Sequence, residues 1–504
     1  MGKHKRNSMM YETAFLSIFS VCLQSMGLLF NVFLTHRLGA ASVGALTLMI
    51  SFYNLAAVLS GGSGFIAASR FLSEELGCNG NPQKVYRYTM RFCLILSSTC
   101  AGLLCLAANC ISVRLGRPEL TPQTIRLLSI SLPVSALMAC QKGRCYAYQR
   151  VYLPAAAECL EFLVRAGILA FCAIFLIPQQ KMSLLTAFGI AAAAGQVSAV
   201  LLLTVIRPPV QHCKLPCTFS FGRFIRLMLP VMGNACLVAL LNSTNDALVP
   251  LTLLQYGSST EEAMSQFGEF EAIIIPTLFF PSVIQCCMAG LLVPELSRAR
   301  SAGDEDSIRM LTERVLEQTV SYALFVVLVL MRYGGQLGFL LGGDAFTGKI
   351  LRCMAPVVPF IYLEILLEGI LRGLGKQNYS SANYLAEYLV RISVLLICVP
   401  MFGFYGIAAS YMACNLTGNA VRLYLVLRLT GLKPVWKKIL VRPLFALLLS
   451  DQLVTLLKLL LTRIPAIGCL PEIPLMMLFM LLCGAVYYFV LCSRRRHNGN
   501  YISR

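Results

Sequence analysis

Fourteen apolar stretches, each long enough to cross a bilayer as a helix, run through this 504-residue chain with only short polar breaks. They fall at roughly 12–35, 42–70, 89–112, 126–147, 153–177, 183–206, 224–248, 267–292, 315–332, 351–371, 381–400, 404–428, 441–461 and 473–492. Hydrocarbon offers a backbone N–H or C=O no partner, so stretches of about 20 apolar residues must satisfy those groups internally, as helices. The alternating ten-residue pattern of a membrane β-barrel is absent. The expected fold class is therefore an all-α polytopic membrane protein with about 14 transmembrane helices. With 13% charged residues and a mean hydropathy of +0.72, no segment is polar enough for a separate soluble domain. Lys3, Lys5 and Arg6 precede an apolar run that continues to about Leu34 without a small-residue cleavage site, so this run reads as the first span rather than a signal peptide.

Glu161-Phe162-Leu163-Val164-Arg165 returns as Glu387-Tyr388-Leu389-Val390-Arg391, 226 positions on, each copy inside an apolar stretch. Gly64 and Gly290 match at the same offset, and Gly189-Ile190-Ala191-Ala192 is echoed by Gly406-Ile407-Ala408-Ala409. This pattern predicts two six-helix lobes related by pseudo-symmetry: residues 1–210 (spans one to six) and 211–432 (spans seven to twelve). Residues 433–504 add spans thirteen and fourteen and a tail, packing either as an appendage or along a lipid-facing groove. Positions i and i+4 share a helix face, so each Glu is expected to neutralise the Arg of its own copy.

The net charge of +19 resolves into short loops rather than a nucleic-acid-binding surface. Lys84, Arg87 and Arg91, then Arg207, Lys214, Arg223 and Arg226, then Lys433, Lys437 and Lys438, then Arg494, Arg495 and Arg496 all fall on one side when the spans are counted. That side is expected to be cytoplasmic, with both termini on it. The 21 cysteines lie mostly in apolar segments and form no disulfide framework. His212, Cys213 and Cys217 lack a fourth metal ligand in view. Gly343 to Lys349 has phosphate-loop spacing, but Ile350 stands where a magnesium-holding Ser or Thr is needed. No nucleophile–base constellation is visible, so no enzyme activity, cofactor, metal, nucleotide or nucleic acid is expected.

Charged side chains within spans are costly and mark either pathways or helix-locking pairs. Arg165 and Arg391, with Glu161 and Glu387 beside them, are candidate cavity residues for an anionic head group, or self-neutralised packing pairs. Asp246, Glu269, Glu271, Glu364 and Glu368 are candidates for coupling to a proton or sodium. The last two form a ladder with Arg372, one helical turn apart, that reads as a proton relay or a structural chain. Pro276, Pro281 and Pro294 punctuate span eight and Gly61-Gly62-Ser63-Gly64 interrupts span two; these are candidate hinges or fixed kinks.

Several stretches, in order, resemble the multidrug/oligosaccharidyl-lipid/polysaccharide exporter superfamily, in its stage V sporulation protein B-like and polysaccharide-biosynthesis flippase branch. They are Gly27–Leu34 with Arg37-Leu38-Gly39-Ala40 and Val43-Gly44; Pro276, Pro281-Ser282 and Leu292-Val293-Pro294-Glu295-Leu296-Ser297; Leu371-Arg372-Gly373-Leu374-Gly375-Lys376; and Gly403–Ala409. The resemblance implies a lipid-linked glycan substrate among membrane lipids and flipping by alternating access at a bacterial cytoplasmic membrane. Relatives in this branch place arginines on span one to meet a diphosphate; here that face carries Gln24, Phe30 and Asn31, so Gln24 and Asn31 would offer neutral hydrogen bonds. Lys142, Arg144, Arg372 and Lys376 would collect the diphosphate at the inner mouth. Two other readings stay open on the residues alone: a cation-coupled multidrug exporter of the same fold, and a non-transporting scaffold in envelope or spore assembly.

Overall fold

The computed structural model describes residues 3–62, 64–77, 81–115, 121–179, 182–206, 221–461 and 472–499. The described residues are helical nearly throughout and contain no strand. The chain forms two compact units, Met1–Ala272 and Ile273–Arg504. The loop holding His212, Cys213 and Cys217 lies outside the described residues.

The first unit contains α1 (Lys3–Leu38), α2 (Ala40–Ala57), α3 (Gly64–Gly77), α4 (Pro82–Leu115), α5 (Pro122–Ala147), α6 (Tyr152–Phe171), α7 (Leu184–Val205), α8 (Phe221–Tyr256) and α9 (Thr260–Glu269). The second contains α10 (Ile275–Phe279), α11 (Val283–Ser301), α12 (Glu305–Leu340), α13 (Ala345–Met354), α14 (Val358–Gly373), α15 (Gln377–Phe402), α16 (Phe404–Thr430), α17 (Arg442–Leu461) and α18 (Glu472–Gly499). Among the described residues, twelve helical segments are long and apolar enough to cross a membrane. The two remaining expected spans lie in α16, where Asn415, Asn419 and Arg422 dilute the apolar run, and in α18. The protein is a multi-pass membrane protein. Leucines such as Leu106, 83% exposed on the isolated chain, suit a lipid-facing surface.

The breaks at Gly61 and at Pro276 and Pro281 fall where the sequence places them, but Pro294 lies inside α11 and interrupts nothing, since a membrane helix tolerates a proline whose freed carbonyl is satisfied by its surroundings. Span two is interrupted by a π-turn at Val58–Gly62, with Gly61 at φ 129°, a conformation that glycine adopts without a Cβ clash. Span eight is divided by a π-turn at Phe270–Ile274 and a 3₁₀ turn at Phe280–Ser282, with Pro276 and Pro281 at the starts of the pieces that follow. Proline lacks the N–H that a helix interior needs, so each begins a new helical piece. Ser and Thr caps at Thr121, Ser183 and Ser259 accept from the backbone N–H three residues on, fixing the starts of α5, α7 and α9.

Small residues set how closely helices approach. Gly268 on α9 lies against the backbone of Ala40 and Gly44 on α2, so closely that a Cβ there would overlap Ala40 O. Gly143 on α5 lies in the same way against Phe65 O on α3. The core of the second unit is a leucine-rich seam of α11, α12, α14 and α16, including Leu296, Leu316, Leu366, Ile370 and Val426. The last two spans pack on α12: Tyr487 Oη donates to Ser321 O at 2.8 Å, the Phe325 and Tyr487 rings lie 5.8 Å apart, and Arg332 Nη1 reaches Asp451 Oδ1 at 2.6 Å.

Candidate functional site

The two copies of the repeated motif fold differently. In the first unit, on α6, Arg165 Nη1 lies 3.9 Å from Glu161 Oε1, the expected i,i+4 pair, at the limit of an ion pair. The guanidinium of Arg165 sits over the Phe162 ring at 5.9 Å. On α15 the corresponding Arg391 sits over Tyr388 at 5.7 Å, and over Tyr411 of α16 at 3.7 Å. Glu387, however, turns away from its own copy's Arg391. Both of its oxygens go to Arg422 on α16, Oε1 to Nη1 in a short contact and Oε2 to Nη2 at 2.8 Å. In place of the expected Glu387–Arg391 pair stands a bidentate bridge between helices, in which Arg422 approaches from the neighbouring α16 with both Nη atoms toward the two carboxylate oxygens.

Arg422 is 1% exposed and is the largest of the fully buried side chains. Its Nη2 also reaches Glu364 Oε1 of α14 at 3.3 Å. Asn383 Nδ2 adds donations to Glu387 Oε1 at 3.4 Å and to Gly418 O at 3.1 Å. One guanidinium therefore ties α14, α15 and α16 together, and buried charges of this kind persist only if they are matched. Glu368 is bound instead by Arg372, one turn along α14. The Glu364–Glu368–Arg372 ladder is thus split between two arginines.

Arg422 was not singled out by sequence reasoning, yet the repeat carries the signal. Gly195 on α7 faces Glu161 and Arg165, and Gly418 on α16 faces Glu387. Each glycine is followed by an amide: Gln196 donates to Tyr53 Oη, and Asn419 to Phe360 O, both at 2.8 Å. Four residues beyond each glycine stand Ala199, fully buried, and Arg422. Four residues beyond its glycine, α16 carries an arginine where α7 carries an alanine.

The remaining candidates are scattered. Asp246 Oδ2 accepts from Ser51 Oγ at 2.6 Å and Oδ1 from Asn245 Nδ2 at 3.2 Å. Glu269 is buried and Glu271 half-buried at the end of the first unit. Asn31 Nδ2 makes a long donation, 3.5 Å, to Ala272 O, and Gln24 is exposed. Of the four cations expected to collect a diphosphate, Lys142 is taken by Glu158 at 3.1 Å and Arg372 by Glu368; Lys376 lies 5.9 Å from the Tyr379 ring, and Arg144 lines a cavity with Tyr86 and Gln141. In the second unit the structure brings together Glu364, Glu387 and, over Tyr411, Arg391; in the first it brings together Glu161 and Arg165.

No family model matches the chain. It is 22% identical over 406 residues, 76% of each chain, to stage V sporulation protein B of Bacillus subtilis (strain 168). Its fold is similar to that of an inward-facing multidrug resistance MATE family transporter of the MOP superfamily (TM-score 0.66, 14% identity, 81% of this chain and 94% of that one). It is also similar to that of the lipid II flippase MurJ in an inward closed conformation (TM-score 0.60, 13% identity, 97% and 99%). The chain thus has the MATE-like fold of the superfamily that its sequence resembles.

Proposed function

We propose that this chain translocates a lipid-linked oligosaccharide, or another cell-envelope polysaccharide precursor, across the bacterial cytoplasmic membrane by alternating access. The observation that carries the reading is the pair of arginines held within spans on aromatic shelves, Arg165 on Phe162 and Arg391 on Tyr388 and Tyr411. A guanidinium beside an aromatic ring keeps its charge in a weakly hydrated setting, and its planar fork matches the geometry of phosphate oxygens. The likeness to stage V sporulation protein B, and a fold shared over nearly the whole chain with a lipid II flippase, support the same reading. Energy would come from an ion gradient or the membrane potential, with both termini cytoplasmic. The non-transporting scaffold is the reading that the aromatic shelves least support, because packing pairs need no ring-mounted guanidinium.

Cation-coupled drug export is the second reading, and Asp246 favours it. Its carboxylate is met by Ser51 and Asn245, and no ion pair to it occurs among the described residues. Glu387 and Glu364 count against it, since Arg422 already occupies them.

The test is flipping in proteoliposomes loaded with a fluorescent undecaprenyl-diphosphate sugar and probed with an external quencher. Protein-dependent translocation that is lost in the Arg165→Gln/Arg391→Gln protein upholds the flippase. Proton- or sodium-driven efflux of a cationic dye, without lipid flipping, moves the assignment to drug export. Silence in both assays, with the protein folded, points to the scaffold.

A further inference from the structure

At the end of the first unit where α4 begins and α5 finishes lies a cavity of about 230 Å³. Tyr86 and Arg87 of α4, Gln141 and Arg144 of α5, and Thr204 of α7 line it. The Arg144 guanidinium is laid over the Tyr86 ring at 5.0 Å. Arg87 is exposed and also borders an adjoining recess formed with Lys84 and Arg91, its neighbours on the same face of α4. None of Lys84, Arg87 and Arg91 makes an ion pair among the described residues. Glu75 of α3 accepts from the Asn81 N–H at 3.1 Å and does not line the cavity.

Positive charge at this end of a membrane protein follows from topology alone. Gln141 does not. It is 9% exposed; its Nε2 donates to Thr204 Oγ1 at 2.8 Å, while its Oε1 meets no hydrogen-bond partner. Buried polar atoms are ordinarily satisfied, so an orphaned amide end on a residue that lines a cationic cavity points to a ligand that completes it.

We propose that this cavity binds a phosphate ester that carries free hydroxyls, the polar end shared by a phosphatidylglycerol head group and a lipid-linked sugar diphosphate. The guanidinium groups of Arg87 and Arg144 meet the phosphate oxygens in charge-assisted bonds, and a hydroxyl of the ligand donates to Gln141 Oε1. With the amide turned over, its NH₂ would meet a phosphate oxygen instead, so either orientation serves the same ligand. The site stands on its own geometry and does not depend on the flippase reading.

Native mass spectrometry of the purified full-length protein in neutral detergent tests it. Titrated with phosphatidylglycerol, phosphatidic acid and phosphatidylcholine, the protein is expected to bind phosphatidylglycerol at least tenfold more tightly than phosphatidylcholine. Arg87→Gln, at an exposed position, weakens this several-fold without altering the elution profile, and Arg87→Gln/Arg144→Gln abolishes the preference. Gln141→Leu leaves phosphate binding but removes the preference for phosphatidylglycerol over phosphatidic acid. Arg126→Gln, at the far end of α5, changes nothing. Equal binding of phosphatidylglycerol and phosphatidylcholine, or a preference unmoved by the arginine variants, overturns the proposal. A short-chain prenyl diphosphate sugar then assigns the source: displacement of phosphatidylglycerol gives the site to the glycan substrate, failure to displace gives it to membrane lipid, and either result upholds the site.

Discussion

Glu387 is held by Arg422, 35 residues away on the next helix, while Arg391, its partner in the repeated motif, lies 3.7 Å over the ring of Tyr411. Removing the guanidinium would strand two carboxylates, Glu387 and Glu364, among apolar side chains. Arg422→Gln is expected to cost roughly 3–5 kcal/mol, the usual effect of breaking a buried pair from one side. Adding Glu387→Gln should recover part of that loss. Thermal unfolding in detergent of the two single variants and the double variant checks this; additive losses would show that the bridge carries no coupling.

Arg165 and Glu161 form a looser pair, 37% and 16% exposed at the side chain. Arg165→Gln is therefore expected to change stability by less than about 1 kcal/mol. Translocation of the lipid-linked sugar should nevertheless fall by at least tenfold, because the phosphate contact is lost while the fold is kept. A fall in activity matched by a fall in unfolding temperature would make Arg165 structural.

Gly418 packs directly against the Glu387 carboxylate, and a Cβ at that position would overlap it. Gly418→Ala should cost about 1–3 kcal/mol as overpacking and push Glu387 off Arg422. In a Glu387→Ala background the same substitution should cost markedly less, which a double-mutant cycle reads directly. Gly195→Ala in the first unit meets Glu161 O at 2.8 Å and the Arg165 Cβ at 3.3 Å, so it should be unfavourable without disturbing a bidentate bridge.

Arg332 and Asp451 join α12 to α17 at 2.6 Å, with side-chain exposures of 17% and 38%. Interhelical polar contacts in membranes average about 0.6 kcal/mol and reach about 1.7. Asp451→Asn should therefore loosen the last two spans rather than unfold the protein. Faster thiol labelling of Cys483, which is buried in the cluster between α12, α17 and α18, would report that loosening, with labelling of Cys140 unchanged.

Asp304 caps α12, accepting from the Ser307 backbone N–H at 2.9 Å and from Ser307 Oγ at 2.6 Å. Both bonds favour the ionised carboxylate and hold its pKa below the ordinary 3.8. A group whose folded pKa is lowered stabilises fully above its unfolded value and loses that contribution as pH falls through the folded value. The unfolding temperatures of the native chain and Asp304→Ala should differ by a constant amount from pH 5 upward and converge toward pH 2. A gap that persists at low pH would mean the side chain acts other than through its charge.

The spans, most of their breaks and the repeated motif are legible in one dimension. Apolar length compels helices in lipid, Gly61 and the prolines at 276 and 281 compel interruptions, and a repeated Glu-x-Leu-Val-Arg is visible as text. The partner of each charged residue is not legible in this way. In a soluble helix the polar stripe tells which face is outside, but a span is apolar all round, so its rotation about its own axis leaves no periodic trace. That rotation is set by packing at small residues, here Gly195 against α6 and Gly418 against α15. Packing at Gly418 brings Arg422 to Glu387 and Glu364, where the equivalent turn of α7 offers only Ala199. The sequence by itself determined which segments cross the membrane and where they bend, because those follow from solvation of the backbone. Only the tertiary structure decided which charges meet, because that depends on how helices distant in sequence turn toward one another.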